Sequence, residues 1–181
     1  MKYWYVGAAG DDAPADPEAL AAVRQCLSAV AGETVREIRL PDVEFAFDAA
    51  RGQYASIRVL EMLARVCPPD GGRLLAVTER DLFIPVLTFV FGQAQLNGRV
   101  AVISLARLRQ EFYGLPPDRD VLIERARKEA LHETGHMLGL VHCENRTCAM
   151  SLATNVRQID LKLAAYCSGC GARATSSGVN R

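Results

Sequence analysis

One stretch, residues 131–150, constrains this chain more than any other; it reads LHETGHMLGLVHCENRTCAM. Within it His132, Glu133, His136, Gly139 and His142 spell H-E-x-x-H-x-x-G-x-x-H. Residues four apart share one face of an α-helix, so His132 and His136 can offer ring nitrogens to a single ion. Gly139 lets the backbone leave the helix through a left-handed conformation, and that reversal would return His142 as a third ligand. Three protein ligands leave the fourth position of a zinc ion open, as a catalytic site requires. Glu133 lies about 100° round the helix from His132. That is too far round for a co-ligand, but well placed to take a proton from water. Short motifs of this kind also arise by chance on Glu-rich surface helices. Here, however, the chain has only 3 histidines and every one stands in the motif.

The cysteines carry the second signal. Cys143, Cys148, Cys167 and Cys170 read C-x4-C-x18-C-x2-C, and Gly169 permits a tight knuckle in the closing pair. Four thiolates in a reducing compartment point to a tetrahedral structural zinc. Two disulfides, four free thiols and a redox C-x-x-C are the alternatives; the last is weaker because no helix evidently begins on the pair. Cys143 adjoins His142, so an ion on the cysteines would pin the segment that closes the histidine site. Cys26 and Cys67 read most simply as small buried hydrophobes.

With Met150 a few residues beyond the third histidine, the motif resembles the metzincin clan of metallopeptidases. A Cys directly after that histidine, then C-x4-C-x-M and a later C-x-x-C, resembles the archaemetzincins (archaelysins) within it. The matching positions are Cys143, Cys148, Met150, Cys167 and Cys170. The likeness runs from about Leu74 to Cys170 and includes the β-rich region Val77–Leu108. It implies two Zn²⁺ per chain, one catalytic on His132, His136 and His142, and one structural on the four cysteines. It further implies Glu133 as general base, Met150 as the apolar floor of a Met-turn, and peptide or protein substrates, short or unstructured. Some metzincins place a Tyr two residues after the Met; here Leu152 stands there, which leaves the oxyanion donor unassigned. The alternative reading is a zinc-stabilised peptide-binding module with little or no turnover.

The rest of the chain supplies the frame. Its 181 residues, half of them hydrophobic, suffice for one domain with a sizeable core. Basic and acidic residues balance at 21 each, which leaves no footprint for nucleic acid or an anionic membrane. No apolar run approaches the ~20 residues of a membrane span. The opening MKYWYVGAAGDD is cut off by Asp11 and Asp12; it reads as a strand, not as a signal peptide, so a cytoplasmic chain without a pro-segment is expected. A monomer is favoured.

Hydrophobic patterning predicts strands at 2–6, 34–40 and 74–77 and helices at 17–31 and 51–66, with 41–50 as loop or a short strand around Val43, Phe45 and Phe47. This alternation implies a largely parallel sheet with helices packed on it. Residues 87–93 and 100–105 read as a hairpin around Asn97-Gly98, a pair suited to a type I′ turn. The resemblance makes 88–93 the edge strand beside the cleft, although a purely architectural hairpin fits the residues equally well. Asp81 reads either as a family position or as a loop carboxylate capping amides. Pro116, Pro117 and Asp118 open the long helix that carries the motif, and Gly135 inside it marks a close approach of another element.

The expected fold class is therefore α/β (α+β and metzincin-like). It combines a mixed, mostly parallel sheet, an antiparallel edge strand, the active-site helix and a small zinc-stapled C-terminal subdomain. The expected division is one domain over 1–170, split into 1–139 and 140–170, with a polar, disordered tail over 171–181.

Overall fold

The computed structural model describes residues 3–10, 15–32, 34–70 and 72–179. Lys2, Asp11 and Asp12, invoked above for the first strand and its end, lie outside them. Five strands form the main sheet: β1 (Trp4–Ala8), β2 (Val35–Glu37), β5 (Arg73–Thr78), β7 (Gly92–Ala94) and β8 (Val100–Ser104). A smaller sheet holds β3 (Phe47–Asp48), β4 (Gln53–Ala55) and β6 (Leu82–Phe83). The helices are α1 (Pro17–Ala31), α2 (Ser56–Val66), α3 (Arg119–Met137), α4 (Val156–Leu161) and α5 (Ser168–Val179).

The main sheet runs β2-β1-β5-β8-β7. Its first four strands pair in parallel, and β7 pairs antiparallel to β8 at the edge. The central strands read LLAV and VAVI because both faces are covered, which makes a buried parallel strand continuously apolar. Successive side chains nevertheless serve opposite cores. Leu75, Val77, Ala101 and Ile103 pack with α1 and α3, whereas Leu74, Ala76, Val100 and Val102 pack with α2. The result is a mixed α/β fold.

Four local readings are corrected. The predicted helix 51–66 begins only at Ser56. The Asp48 side chain accepts from the Ala50 and Arg51 amides, Gly52 turns at φ 64°, and β3–β4 form a hairpin instead. The strand predicted over 87–93 shrinks to Gly92–Ala94. Ahead of it, Arg51 donates to the carbonyls of Leu87 and Thr88, and Gln53 to that of Thr88, so side chains take up backbone acceptors that a ladder would use. In the turn that follows, only Asn97 adopts a positive φ, 54°, whereas type I′ needs two. Finally, the segment expected to be a disordered tail is helical as far as Val179.

Candidate active site

α3 positions the motif. Asp118 caps its first turn by accepting from the Val121 amide. Its apolar flank, Leu122, Ala126, Ala130 and Met137, is buried in the core against α1 and the sheet. At the far end Gly139 takes φ 86°. The Leu140 amide reaches back to the Gly135 carbonyl at 2.8 Å and the Gly139 amide to that of His136 at 2.9 Å. These paired bonds close a Schellman motif, and the chain then doubles back with His142.

The reversal gathers the three imidazoles. Ring centroids lie 4.6 Å apart for His132–His136, 5.3 Å for His132–His142 and 5.0 Å for His136–His142. His132 Nδ1 bonds the Ala149 carbonyl and His136 Nδ1 that of Leu140, each at 2.8 Å. A carbonyl can only accept, so both Nδ1 atoms carry the proton and both Nε2 atoms expose a lone pair. Those two Nε2 atoms face one another at 3.1 Å. Lone pairs so close repel unless a cation lies between them, and tetrahedral zinc with bonds near 2.05 Å would set its nitrogens ~3.3 Å apart. One donor atom from each ring lies within 4.8 Å of the others. The set fits a zinc ion. Burial pushes all three histidines below the usual imidazole range, His132 most strongly, and so favours the neutral, ligating form.

Glu133 points into the same cleft with 4% of its surface exposed. Its Oε2 has no hydrogen-bond partner among the described residues. A Cβ on Gly92 of β7 would come within 2.7 Å of its Oε1, so only glycine lets the edge strand lie this close to the carboxylate. Burial, then the neighbouring Glu129, pushes the Glu133 carboxyl well above the ordinary range. The cleft holds about 600 Å³ between β7 with its preceding loop on one side and α3 with 152–154 on the other. Phe89, Phe91, Leu96, Val141 and Leu152 give it largely apolar walls.

Beyond His142 the four cysteines form a second cluster, their sulfurs all within 4.8 Å of one another. None is in a disulfide. Cys143 and Cys167 Sγ atoms lie 3.8 Å apart; tetrahedral zinc with S–Zn bonds of ~2.3 Å sets its sulfurs ~3.8 Å apart. The set fits a closed zinc site. A helix does begin on the Cys167–Cys170 pair, contrary to expectation, for α5 starts at Ser168. The Cys170 amide in its first turn draws the Cys167 thiol down to about 7, which favours the thiolate a metal needs.

The family model of peptidase family M54 matches residues 36–175. The chain belongs to peptidase family M54. It is 47% identical to the archaemetzincin of Methanocaldococcus jannaschii over 143 residues, which cover 77% of this chain and 78% of that protein. The crystal structure of archaemetzincin from Methanopyrus kandleri superposes with a TM-score of 0.84 at 34% identity, covering 97% of this chain and 95% of that one. That of Archaeoglobus fulgidus archaemetzincin gives 0.79 at 32%, covering 96% and 99%. Family membership makes this chain a zinc metalloprotease, a hydrolase acting on peptide or protein substrates. No helix of the described residues is long and apolar enough to cross a membrane.

Within this archaemetzincin frame, the three motif histidines and the four cysteines form the two clusters, Glu133 lines the cleft and Gly139 turns the chain. Met150 is fully buried against α3: a Cβ on Gly135 would meet its Sδ at 2.2 Å. This is the close approach that Gly135 implied. Gly135→Ala is therefore expected to destabilise by about 1–3 kcal/mol through overpacking, more than the ~1 kcal/mol that alanine returns in helix propensity. A lowered denaturation midpoint would show it; an unchanged or higher one would mean that Met150 yields freely.

Other readings shift. Among the described residues Asp81 caps no backbone amide; its carboxylate receives the Arg107 guanidinium in a fork at 2.7 and 2.8 Å and the Gln53 side-chain amide at 2.9 Å. Leu152 lines the cleft but has no polar group to offer an oxyanion. Cys67 is buried as expected, whereas Cys26 is only partly so. Sequence reasoning missed two cleft residues, Glu129 and Lys162. Glu129 carried a signal, since three residues before His132 it shares that residue's helix face. Lys162 carried none.

Proposed function

We propose that this archaemetzincin hydrolyses peptide bonds with Glu133 as general base and His132, His136 and His142 as ligands of a catalytic zinc. A second, structural zinc would sit on Cys143, Cys148, Cys167 and Cys170. One observation carries the reading: three imidazoles converge, those of His132 and His136 with their unprotonated nitrogens inward, beside a buried carboxylate with a free oxygen. Zinc, when bound, supplies Lewis acidity that polarises the scissile carbonyl and acidifies the attacking water. Glu133 takes the proton from that water and delivers it to the leaving amine. Its burial favours this cycle, because a raised carboxyl holds a proton long enough to pass it on.

β7 ends the main sheet, and no described strand pairs with its outer side. An extended peptide can add there by main-chain hydrogen bonds, and that geometry supports short or unstructured substrates over folded ones. Apolar walls suit a chain stripped of water as it binds. The reading treats residues 1–170 as one protease domain turning at Gly139, in a reducing compartment such as the cytoplasm.

Metal content per chain, measured on protein purified without added metal, tests the ligand assignment. Two zinc ions are expected, falling to one in the His132→Ala/His136→Ala variant while the cysteine-bound ion remains. A single ion untouched by that double substitution would remove the ground for a histidine-held zinc. Peptides retained on the wild type but never cleaved would mark a binding module instead.

A further inference from the structure

One buried ion pair in the cleft takes no direct step in the hydrolysis described above. Glu129 stands on α3 one turn before His132, and Lys162 follows the last residue of α4. Lys162 Nζ lies 3.5 Å from Glu129 Oε1, and the side chains are only 1% and 4% exposed. Both line the cleft together with His132, Glu133, Ala153 and Thr154. Both are buried members of its polar lining.

Fastening α4 to α3 does not require them. Arg125 already grips Asp160 in a fork at 2.7 and 2.8 Å, and Lys128 donates to the Asp160 carbonyl. A buried ion pair is also a poor stabiliser, since apolar residues of similar volume often do as well or better. The pair is loose besides: charge-assisted N–H···O bonds run near 2.7–2.9 Å, shorter than the 3.5 Å here. An ammonium offers three donors and a carboxylate about four acceptor positions. Among the described residues neither charged head has another hydrogen-bond partner. Each therefore has capacity left for a third group entering from the cleft.

We propose that Glu129 and Lys162 form the floor of a specificity pocket that reads an amide side chain beside the scissile bond, glutamine first and asparagine second. This rests on the assignment of His132, Glu133 and His136 as the reacting centre. A primary amide is neutral and carries an acceptor and a donor on one head: its carbonyl accepts from Lys162 Nζ, and its NH₂ donates to Glu129. A substrate carboxylate would face Glu129, and a substrate ammonium would face Lys162. An apolar side chain would leave both heads unanswered, the kind of mismatch a polar site rejects most strongly. The walls contributed by Phe91 and Leu152 suit the methylene stem. Glu129 stands one helical turn before His132, ~4.5 Å along the helix axis, so the pair lies beside the reacting centre. Both heads are buried, and the longer stem of glutamine reaches them more readily than that of asparagine.

The test profiles cleavage of peptides randomised on both sides of the scissile bond. It compares wild type, Glu129→Gln, Lys162→Met and the Glu129→Leu/Lys162→Met double variant. Wild type is expected to favour glutamine over leucine or methionine by at least about tenfold in kcat/KM. Lys162→Met should shift preference to lysine and arginine, because Glu129 is left unanswered. Glu129→Gln should shift it to glutamate. The double variant should prefer leucine and methionine, with zinc content and denaturation midpoint no lower than wild type. Fluorescence anisotropy of the same labelled peptides bound to Glu133→Ala protein should give the wild-type ranking without hydrolysis. If that ranking appears while wild type cleaves nothing, the pocket stands and the peptidase mechanism falls. One profile shared by all four cleaving proteins would overturn the pocket. So would a loss of zinc or folding in Lys162→Met that the double variant fails to restore.

Discussion

Replacing Glu133 by glutamine is expected to lower kcat by about a thousandfold, within the 10²–10⁴ range of a positioned general base, with zinc content per chain unchanged. The expectation follows from where the carboxylate stands. It is buried in the cleft wall, outside the ring of imidazole nitrogens, with one oxygen unpartnered and the other against the Gly92 backbone. The amide keeps the volume, so β7 need not move, but it cannot take up a proton. KM should change little, because substrate affinity comes from strand pairing and the cleft walls. Stability should not fall and is expected to rise. A carboxyl that burial pushes well above its ordinary range is destabilising when ionised, and glutamine removes that charge. Lost turnover with preserved metal and an equal or higher midpoint is the pattern of a residue kept for chemistry at the expense of stability. Wild-type turnover in the variant would dismiss Glu133 as the base; concurrent loss of zinc would make it a ligand.

Replacing Cys148 by serine should act on the whole C-terminal third. The residue is 1% exposed and its sulfur accepts from the Cys167 amide at 3.3 Å. Structural zinc contributes roughly 10–16 kcal/mol of apparent binding free energy in small zinc domains, comparable to the 5–15 kcal/mol that holds a typical domain folded. Losing one ligand should therefore loosen residues 143–170 and carry the histidine site with them. Cys143 adjoins His142, the Cys143 amide bonds the Met150 carbonyl at 2.9 Å, and Ala149 holds His132. Metal content is expected to drop below one ion per chain and the denaturation midpoint by more than about 10 °C, at roughly 2–4 °C per kcal/mol for this size. A midpoint within a few degrees of wild type, with peptidase activity retained, would show that the cysteines brace nothing.

The two clusters were legible in the sequence because their geometry is local. His132 and His136 share a helix face, Gly139 forces the turn, and the cysteine spacing brings two short knuckles together. The main sheet was legible because buried parallel strands cannot hide their apolar runs. What escaped depended on partners remote in the chain. Asp48 closed a turn that converted the start of a plausible helix into β4. Arg51 and Gln53 occupied carbonyls near Thr88, so the edge strand formed later than its composition suggested. α5, small and polar, reads as a loose tail until Cys170 and Ala174 are seen buried in the core. Lys162, between two exposed leucines, has the pattern of a solvated residue, yet its partner lies 33 positions away. No window of sequence contains that contact.

The order in which the chain is made gives the cysteine cluster another meaning. The whole histidine motif is translated before Cys167 and Cys170, yet the turn carrying His142 is anchored through Cys143 to a knot that only these last cysteines complete. A growing or prematurely ended polypeptide would thus hold the catalytic signature without the means to fix its third histidine. Activity would arrive late, when the protein's own backbone is already folded and out of reach of its cleft.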